Sequence, residues 1–350
     1  MGKWINIYDK VITPENIFLG WKEFRQGKKK KKDIQEFERY LENNLFNLYA
    51  SLCNKTYKPG SYTMFRINDP KARVIHKAPV IDRIVHHIAS RALERIFDRT
   101  FIAHSYSCRQ EKGTHKGVIA LRKMALKVSK NNTRMCWALK CDVRKFFASI
   151  NHQVLSGLLK KKIKDEEFLW LLQKIIESFR SELTLDDSNP RGIPIGNLTS
   201  QYFANIYLDS FDQFIKQKLR VKYYIRYADD FVILSQDRHY LENLLEPIKS
   251  FLKNTLDLEI HPKKIFFRKF TSGIDFLGYV IFPNHTLART KTKRRLKRRI
   301  KEAVINYRAG KISKDKLTQI INSYLGYLGH ANTYQFTQEL KNTIWFWLTE

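Results

Sequence analysis

The stretch RYADDFVIL, residues 226–234, sets two adjacent carboxylates, Asp229 and Asp230, between runs of aromatic and β-branched residues. The alternation in KYYIRYADDFVIL (222–234) fits two short strands folded back on each other, with Ala228-Asp229-Asp230 at the tip. Acids pack poorly in strands, so their presence there calls for a compensating charge. A third carboxylate, Asp142, ends the apolar run WALKCD (137–142) and precedes a turn. Three carboxylates drawn together repel unless cations bridge them, and Mg²⁺ takes oxygen ligands of this kind. Two Mg²⁺ ions roughly 4 Å apart would activate an attacking 3′-hydroxyl and stabilise a departing pyrophosphate. An acidic pair at a solvated turn is the competing account of the same residues.

The chain around this stretch is strongly basic. Among 350 residues, 64 Lys and Arg face 34 Asp and Glu, a net charge of +30. Such a balance points to a polyanionic partner, nucleic acid first. A hydrophobic content of 43% is ample for a buried core. No window approaches the roughly 18–20 apolar residues that span a bilayer, and MGKWINIYDK lacks the apolar stretch of an export signal. Cys53, Cys108, Cys136 and Cys141 form no CxxC pair and have no His at ligand spacing, as expected of reduced thiols in a cytoplasmic protein.

Periodicity organises the rest. Residues 33–52 repeat Phe37, Tyr40, Leu41, Leu45, Leu48 and Leu52 at helical spacing, after an uninterrupted run Lys28–Lys32 that serves as a solvated loop or a phosphate contact. TMFRINDPKARVIHKAP predicts two strands around an Asn68-Asp69-Pro70 turn, and IDRIVHHIASRALERIFDRTF an amphipathic helix. GNLTSQYFANIYLDSFDQFIKQKL places Phe203, Ile206, Tyr207, Phe211, Phe214 and Ile215 on one helical face, with Thr199 or Ser200 as its cap. FLGYVIF (276–282) reads as a further strand. TKTKRRLKRRIK packs eight cations into twelve residues and opens a helical tail broken at Gly310. The expected class is α+β with a basic helical appendage.

YADD after an aromatic strand, with LKCDVRKFFASI upstream, resembles the palm of a reverse transcriptase. The likeness continues in order. ARVIHKAPVIDRIVHH and SYSCRQEKGTHKGV resemble its fingers motifs, GIPIGNLTSQYFANIYLD the motif behind the incoming nucleotide, LEIHPKKIFF the lysine-bearing palm motif and IDFLGYVIF the primer grip. This resemblance implies a right-hand polymerase: an N-terminal helical extension (1–60), fingers (61–135), a palm with a small antiparallel sheet (136–284, with fingers-contributed helices around 150–190) and a basic helical thumb (285–350). It implies an RNA-directed DNA polymerase using two Mg²⁺ ions, with Mn²⁺ as a substitute, and RNA template, DNA product and dNTPs as partners.

Carried over by residue, Asp142 and Asp229 resemble the principal metal ligands, joined by the Val143 backbone, and Asp230 the accessory carboxylate. Lys264, or its neighbour Lys263, resembles the lysine that protonates pyrophosphate. Phe147 matches the ring that excludes a ribose 2′-hydroxyl, with core packing beside Phe146 as its other use. Arg73 and Lys77 match triphosphate-clamping cations; Ile195, Gly196 and Gln201 belong to the nucleotide-facing motif. Arg109, Lys112 and His115 touch template or serve structure. Gly278 and Tyr279 sit in the primer grip, and Lys293, Arg294, Arg295 and Arg298 suit a helix tracking the template–primer backbone.

Ile195 before Gly196 and Gln201 after Ser200 depart from the Gln-Gly and Ser-Pro common in the family. They resemble the reverse transcriptases of diversity-generating retroelements, which copy a template-repeat RNA with errors opposite adenine and work with a small basic accessory protein. The same motif set is shared by bacterial reverse transcriptases of anti-phage defence, the alternative expectation. About 68 residues follow FLGYVIF, enough for a thumb and too few for an RNase H domain; no HNH-like Cys/His cluster appears.

Overall fold

The structure is a computed structural model and describes residues 4–68, 72–184 and 188–349. A single turn, α1 (Tyr8–Val11), leads into α2 (Pro14–Arg25), whose start is set by Thr13 accepting the Asn16 N–H and by Pro14 in the first turn, where its missing N–H costs nothing. The stretch 33–52 is two helices, α3 (Lys32–Glu38) and α4 (Leu41–Cys53). Tyr40 between them leaves helical geometry (φ −128°, ψ 41°), and the Asn44 side chain donates to the Phe37 carbonyl exposed by the break.

Strands β1 (Thr63–Ile67) and β2 (Arg73–Lys77) form the expected antiparallel hairpin; Asp69 and Pro70 of its expected turn lie outside the described residues. Helix α5 (Val80–Phe97) buries Ile84, Val85, Ile88, Ala89, Leu93 and Ile96. Next come α6 (Thr114–Val128), β3 (Trp137–Asp142), α7 (Phe146–Ser149), α8 (His152–Lys162) and α9 (Glu166–Glu177).

Helix α10 (Leu198–Gln213) runs on into one π-helical turn, Phe214–Lys218. Its buried face is the predicted one, with Phe214 half-buried and stacked on Phe251 at 4.2 Å. Its cap differs from expectation. Asn197 occupies the cap position without a side-chain capping bond, its amide donating instead to the Tyr62 hydroxyl at 2.9 Å, while Thr199 is buried and hydrogen-bonds His86 Nδ1 at 2.9 Å.

The chain continues through β4 (Tyr223–Tyr227), β5 (Asp230–Ser235), α11 (Arg238–Asn243), α12 (Leu245–Leu256), β6 (Phe266–Lys269), β7 (Ile274–Phe276), β8 (Tyr279–Ile281) and β9 (Thr286–Ala288). It ends in three helices, α13 (Thr290–Arg308), α14 (Lys314–Leu328) and α15 (Tyr334–Thr349). FLGYVIF is a tight hairpin instead of one strand. Phe276 pairs with Tyr279, and the two central residues, Leu277 (φ 51°) and Gly278 (φ 88°), both take the left-handed backbone that such a turn requires.

The strands make three sheets, β1-β2, β4-β5-β3-β6 and β7-β8-β9, and with the helices they give an α+β fold. Two compact units divide the chain. The first comprises residues 1–109, 142–222 and 245–263, and holds the β1–β2 hairpin and most helices. The second comprises 110–141, 223–244 and 264–350, with the two larger sheets, α6, α11 and the C-terminal helices. These units are interleaved along the chain, because strand pairing joins 137–141 to 223–235 and 266–269. The last three helices bury a cluster of their own built on Leu296, Ile300, Leu317, Leu328 and Leu340. All four cysteines are free thiols, and burial pushes that of Cys136 up to about 12. Among the described residues no helix is long and apolar enough to cross a membrane.

Candidate active site

The acids that open the sequence argument sit where alternation put them. Tyr227 pairs with Asp230, which leaves Ala228 and Asp229 as the two central residues of the β4–β5 turn. Ala228 adopts φ 50°, the sign a two-residue hairpin needs at that position. The turn has an internal brace: Arg226, 0% exposed, donates through Nη1 to the Ala228 carbonyl at 3.1 Å. Asp230 begins β5 and faces a fixed cation, the Lys140 ammonium at 3.0 Å.

Strand β3 lies beside β5 in the sheet order, and Asp142 is its last residue. The Asp142 carbonyl accepts the His261 N–H at 2.8 Å, Val143 bridges Ile260, and the Arg144 N–H reaches the Glu259 carbonyl at 2.8 Å. A left-handed Lys145 (φ 43°) then turns the chain into α7. Of the two adjacent rings there, Phe146 is buried, 2% exposed, against Tyr207, while Phe147 is half-buried with its carbonyl accepting the Ile193 N–H at 2.9 Å. Lys263 and Lys264 share a short 3₁₀ turn; Lys263 is exposed and Lys264 half-buried. Among the described residues, no three His, Cys, Asp or Glu side chains are grouped so as to hold a metal between them.

In the first unit, one face of the β1–β2 hairpin borders a cavity of about 250 Å³, lined among others by Lys28, Lys31, Phe65, Lys77, Arg83 and Gly196. The lysine run thus contributes two of its cations to this cavity. Arg73 is exposed at the start of β2, opposite Ile67. Lys77 is ion-paired with Asp33 at 2.8 Å, and Arg83 reaches the same oxygen at 2.6 Å. Burial alone would raise the Asp33 carboxyl, but hydrogen bonds from Lys77 and Arg83 outweigh it and hold the group at about 2.

The Ile195 carbonyl accepts the His76 N–H at 3.2 Å, locking the segment before α10 to β2. Gly196 (φ 130°) follows; a Cβ there would sit 3.2 Å from Ile75 Cγ2 and 3.3 Å from the His76 carbonyl in a backbone state only glycine adopts readily. Gln201 is exposed on α10. His86, lining the same cavity, is held neutral: burial first, then His87 and Arg83, push its imidazole down to about 3.

Two of the residues expected to contact nucleic acid are engaged in intramolecular bonds. Arg109 is 8% exposed at its side chain and donates to both Asp98 carboxylate oxygens and to the carbonyls of Asp98, Ile102 and Ser105. Its guanidinium ties a loop together. Tyr279 is buried, stacked on Tyr327 at 4.8 Å with its hydroxyl on the Tyr327 carbonyl, so its ring faces the protein. The Gly278 carbonyl accepts from the Tyr327 hydroxyl and the Arg289 N–H. Lys112 is half-buried, and His115 stacks on His330 at 3.5 Å.

On α13, Leu296, Ile300, Ala303 and Val304 face inward while Arg294 and Arg298 are exposed, Arg298 beside Glu302 at 3.6 Å. Lys293 and Arg295 are half-buried, Lys293 over the Phe336 ring at 5.1 Å. Asp33, Lys140, Arg226 and Asp275 were not among the candidate residues legible in the sequence. Lys140 and Arg226 carried a signal, each a cation at an inward position of an otherwise apolar strand.

A family model, that of the reverse transcriptase (RNA-dependent DNA polymerase), matches residues 59–281. Protein YkfC of Escherichia coli K12 is 26% identical over 231 residues, covering 57% of this chain and 60% of that protein. The group II intron-encoded protein LtrA of Lactococcus lactis is 23% identical over 308 residues (69% and 50%), and a putative COX1/OXI3 intron 2 protein of Saccharomyces cerevisiae 24% over 302 (67% and 34%). The chain therefore spans between about a third and three fifths of the length of these relatives.

Proposed function

This chain belongs to the reverse transcriptase family, and from that premise we propose that it is a cytoplasmic RNA-directed DNA polymerase of right-hand architecture, copying an RNA template into DNA from dNTPs. The observation that carries the proposal is the β4–β5 turn, braced by Arg226, with Asp229 at its tip, and with β3 ending in Asp142 on the strand beside β5. The carboxylates of Asp142, Asp229 and Asp230 and the Val143 carbonyl are hard oxygen donors suited to Mg²⁺. That ion is commonly held by one or two carboxylates together with substrate phosphates and water, so a dedicated protein cage is not required. When bound, two Mg²⁺ ions, or Mn²⁺ in their place, supply charge neutralisation and a more acidic 3′-hydroxyl.

The protein's own groups do the rest. Asp142 and Asp229 hold, with Asp230 accessory. Lys264, less exposed than Lys263, protonates the leaving pyrophosphate. Arg73 and Lys77 clamp the triphosphate. Phe147, the accessible ring of its pair, sets the limit on the sugar, beside Ile195, Gly196 and Gln201. Lys112, the Gly278 backbone and the α13 cations Lys293, Arg294, Arg295 and Arg298 follow the duplex.

Ile195 and Gln201 favour the diversity-generating type, copying a template-repeat RNA with errors at adenines alongside a small basic accessory protein. A role in anti-phage defence draws on the same residues, and the likeness to intron-encoded proteins makes an intron RNA the competing template. The activity is tested by dNTP incorporation on a primed RNA with Mg²⁺, wild type against Asp229→Ala. Synthesis lost with RNA binding retained supports the enzyme; synthesis undiminished in the variant rejects the site. Sequencing RNA and cDNA that copurify with the protein separates the three readings.

A further inference from the structure

Lys140 stands two residues before Asp142 on β3, and alternate residues of a strand share a face. Its largely buried ammonium has three anchors: the Asp230 carboxylate at 3.0 Å, the Asp275 carbonyl at 2.8 Å and the Asp275 carboxylate at 3.9 Å. Asp275, on β7, is in turn paired with Arg289, the residue at the N-terminal cap of α13. Charges therefore alternate along a row, Asp230, Lys140, Asp275 and Arg289, from the acidic hairpin to the foot of the basic helix, all within the second unit. A half-buried cation with anions on both sides is held in place, whereas a solvent-facing lysine samples many rotamers.

We propose that Lys140 is a positioning residue, a built-in cation that occupies the Asp230 carboxylate so that divalent ions go to the neighbouring acids, with Asp275 and Arg289 holding Lys140 in place. This rests on the assignment of Asp142 and Asp229 to metal binding made above. A fixed positive charge beside the acids weakens their attraction for divalent cations. It also keeps Asp230 in its accessory place and leaves the principal ligation to Asp142 and Asp229. Removing the charge tightens metal binding while slowing synthesis, because ions then settle where the reacting groups do not use them. A merely structural lesion would weaken both.

The test measures Mn²⁺ affinity of the full chain without nucleic acid, from the electron paramagnetic resonance of free Mn²⁺, beside kcat for primer extension. Lys140→Met is expected to bind Mn²⁺ at least about threefold more tightly than wild type, with a lower kcat. Lys140→Arg restores both values toward wild type. Asp275→Asn, which keeps the ammonium and removes a neighbouring anion, does not tighten binding. If Lys140→Met does not fold, Lys140→Gln, which retains a donor for the Asp275 carbonyl, carries the same expectation. Folded variants with Mn²⁺ affinity unchanged or weakened, while Asp229→Asn lowers it, overturn the inference alone. If Asp229→Asn leaves Mn²⁺ affinity at the wild-type level, the metal-site assignment falls and the inference with it.

Discussion

One carboxylate oxygen of Asp33 serves two cations, lying 2.8 Å from the Lys77 ammonium and 2.6 Å from the Arg83 guanidinium. It thereby ties α3 to the second strand of the β1–β2 hairpin and to α5. If Lys77 clamps the triphosphate, Asp33 holds the place of that anion before the nucleotide arrives. Asp33→Asn should lower the KM for dNTP by about two- to fivefold, since it removes the competing charge. Steady-state incorporation kinetics check this, and a KM that stays constant or rises defeats it.

The same pair of neighbourhoods sets an acid limit on stability. Burial, with His87 and Arg83 beside it, holds the folded His86 imidazole down at about 3 against its ordinary 6.5, so the unfolded chain binds its proton first. Its contribution is complete above pH 6.5 and is lost as pH falls toward 3. Asp33, depressed from 3.8 to about 2, adds a second loss as pH falls through that lower window. Thermal melts should show Tm declining from pH 6.5 downward, with a flatter decline in His86→Asn. Parallel curves for the two proteins would refute the His86 part.

Adjacent rings at 146 and 147 should behave differently. Phe146→Ala removes a buried ring and costs about 3–5 kcal/mol of stability, read from denaturant melts. Phe147→Val should leave stability within about 1.5 kcal/mol and admit ribonucleotides. Unchanged discrimination between rNTP and dNTP in Phe147→Val would exclude it as the sugar gate.

Arg294 and Arg298 point outward from α13, so each should release counterions on binding a duplex. Replacing both with Gln is expected to flatten the slope of log K against log salt by about 2 for an RNA–DNA hybrid. An identical slope would mean that α13 does not touch the backbone.

Ile195 places an alkyl side chain before Gly196, where the common reverse transcriptase pattern implied by the resemblance has Gln, and its backbone is fixed by the His76 N–H. Hydrogen-bonding sites reject wrong partners more strongly than apolar ones. Ile195→Gln should therefore reduce misincorporation opposite template adenine, scored by sequencing the product. Equal error rates at adenine and at the other bases in the wild type would remove the basis for this prediction.

Local pattern was enough for much of this. Alternation around Asp229 and Asp230 specified a hairpin with the acids at its turn, since a strand's side chains change face at every residue and the register is fixed by where the polar pair falls. The 3.6-residue spacing in 198–213 located a helix and its inward face, and the tail from 290 was legible as helical with a break at Gly310. Where local pattern was ambiguous the expectations went astray: a hairpin in place of a strand at FLGYVIF, and Thr199 bonded to His86 in place of a cap.

The sequence by itself determined the family and the α+β class and placed the acid pair at a hairpin turn, because these depend on residue types at fixed spacing along the chain. Tertiary structure alone decided which cations are committed and to what. Arg109 and Asp98 are 11 residues apart, Lys77 and Asp33 are 44 apart, and Lys140 and Asp275 are 135 apart. An ion pair at such separations is a property of which surfaces fold against each other, and no periodicity records it. For the same reason Phe146 and Phe147, indistinguishable as letters, became a core ring and an accessible one only when Tyr207 packed against the first.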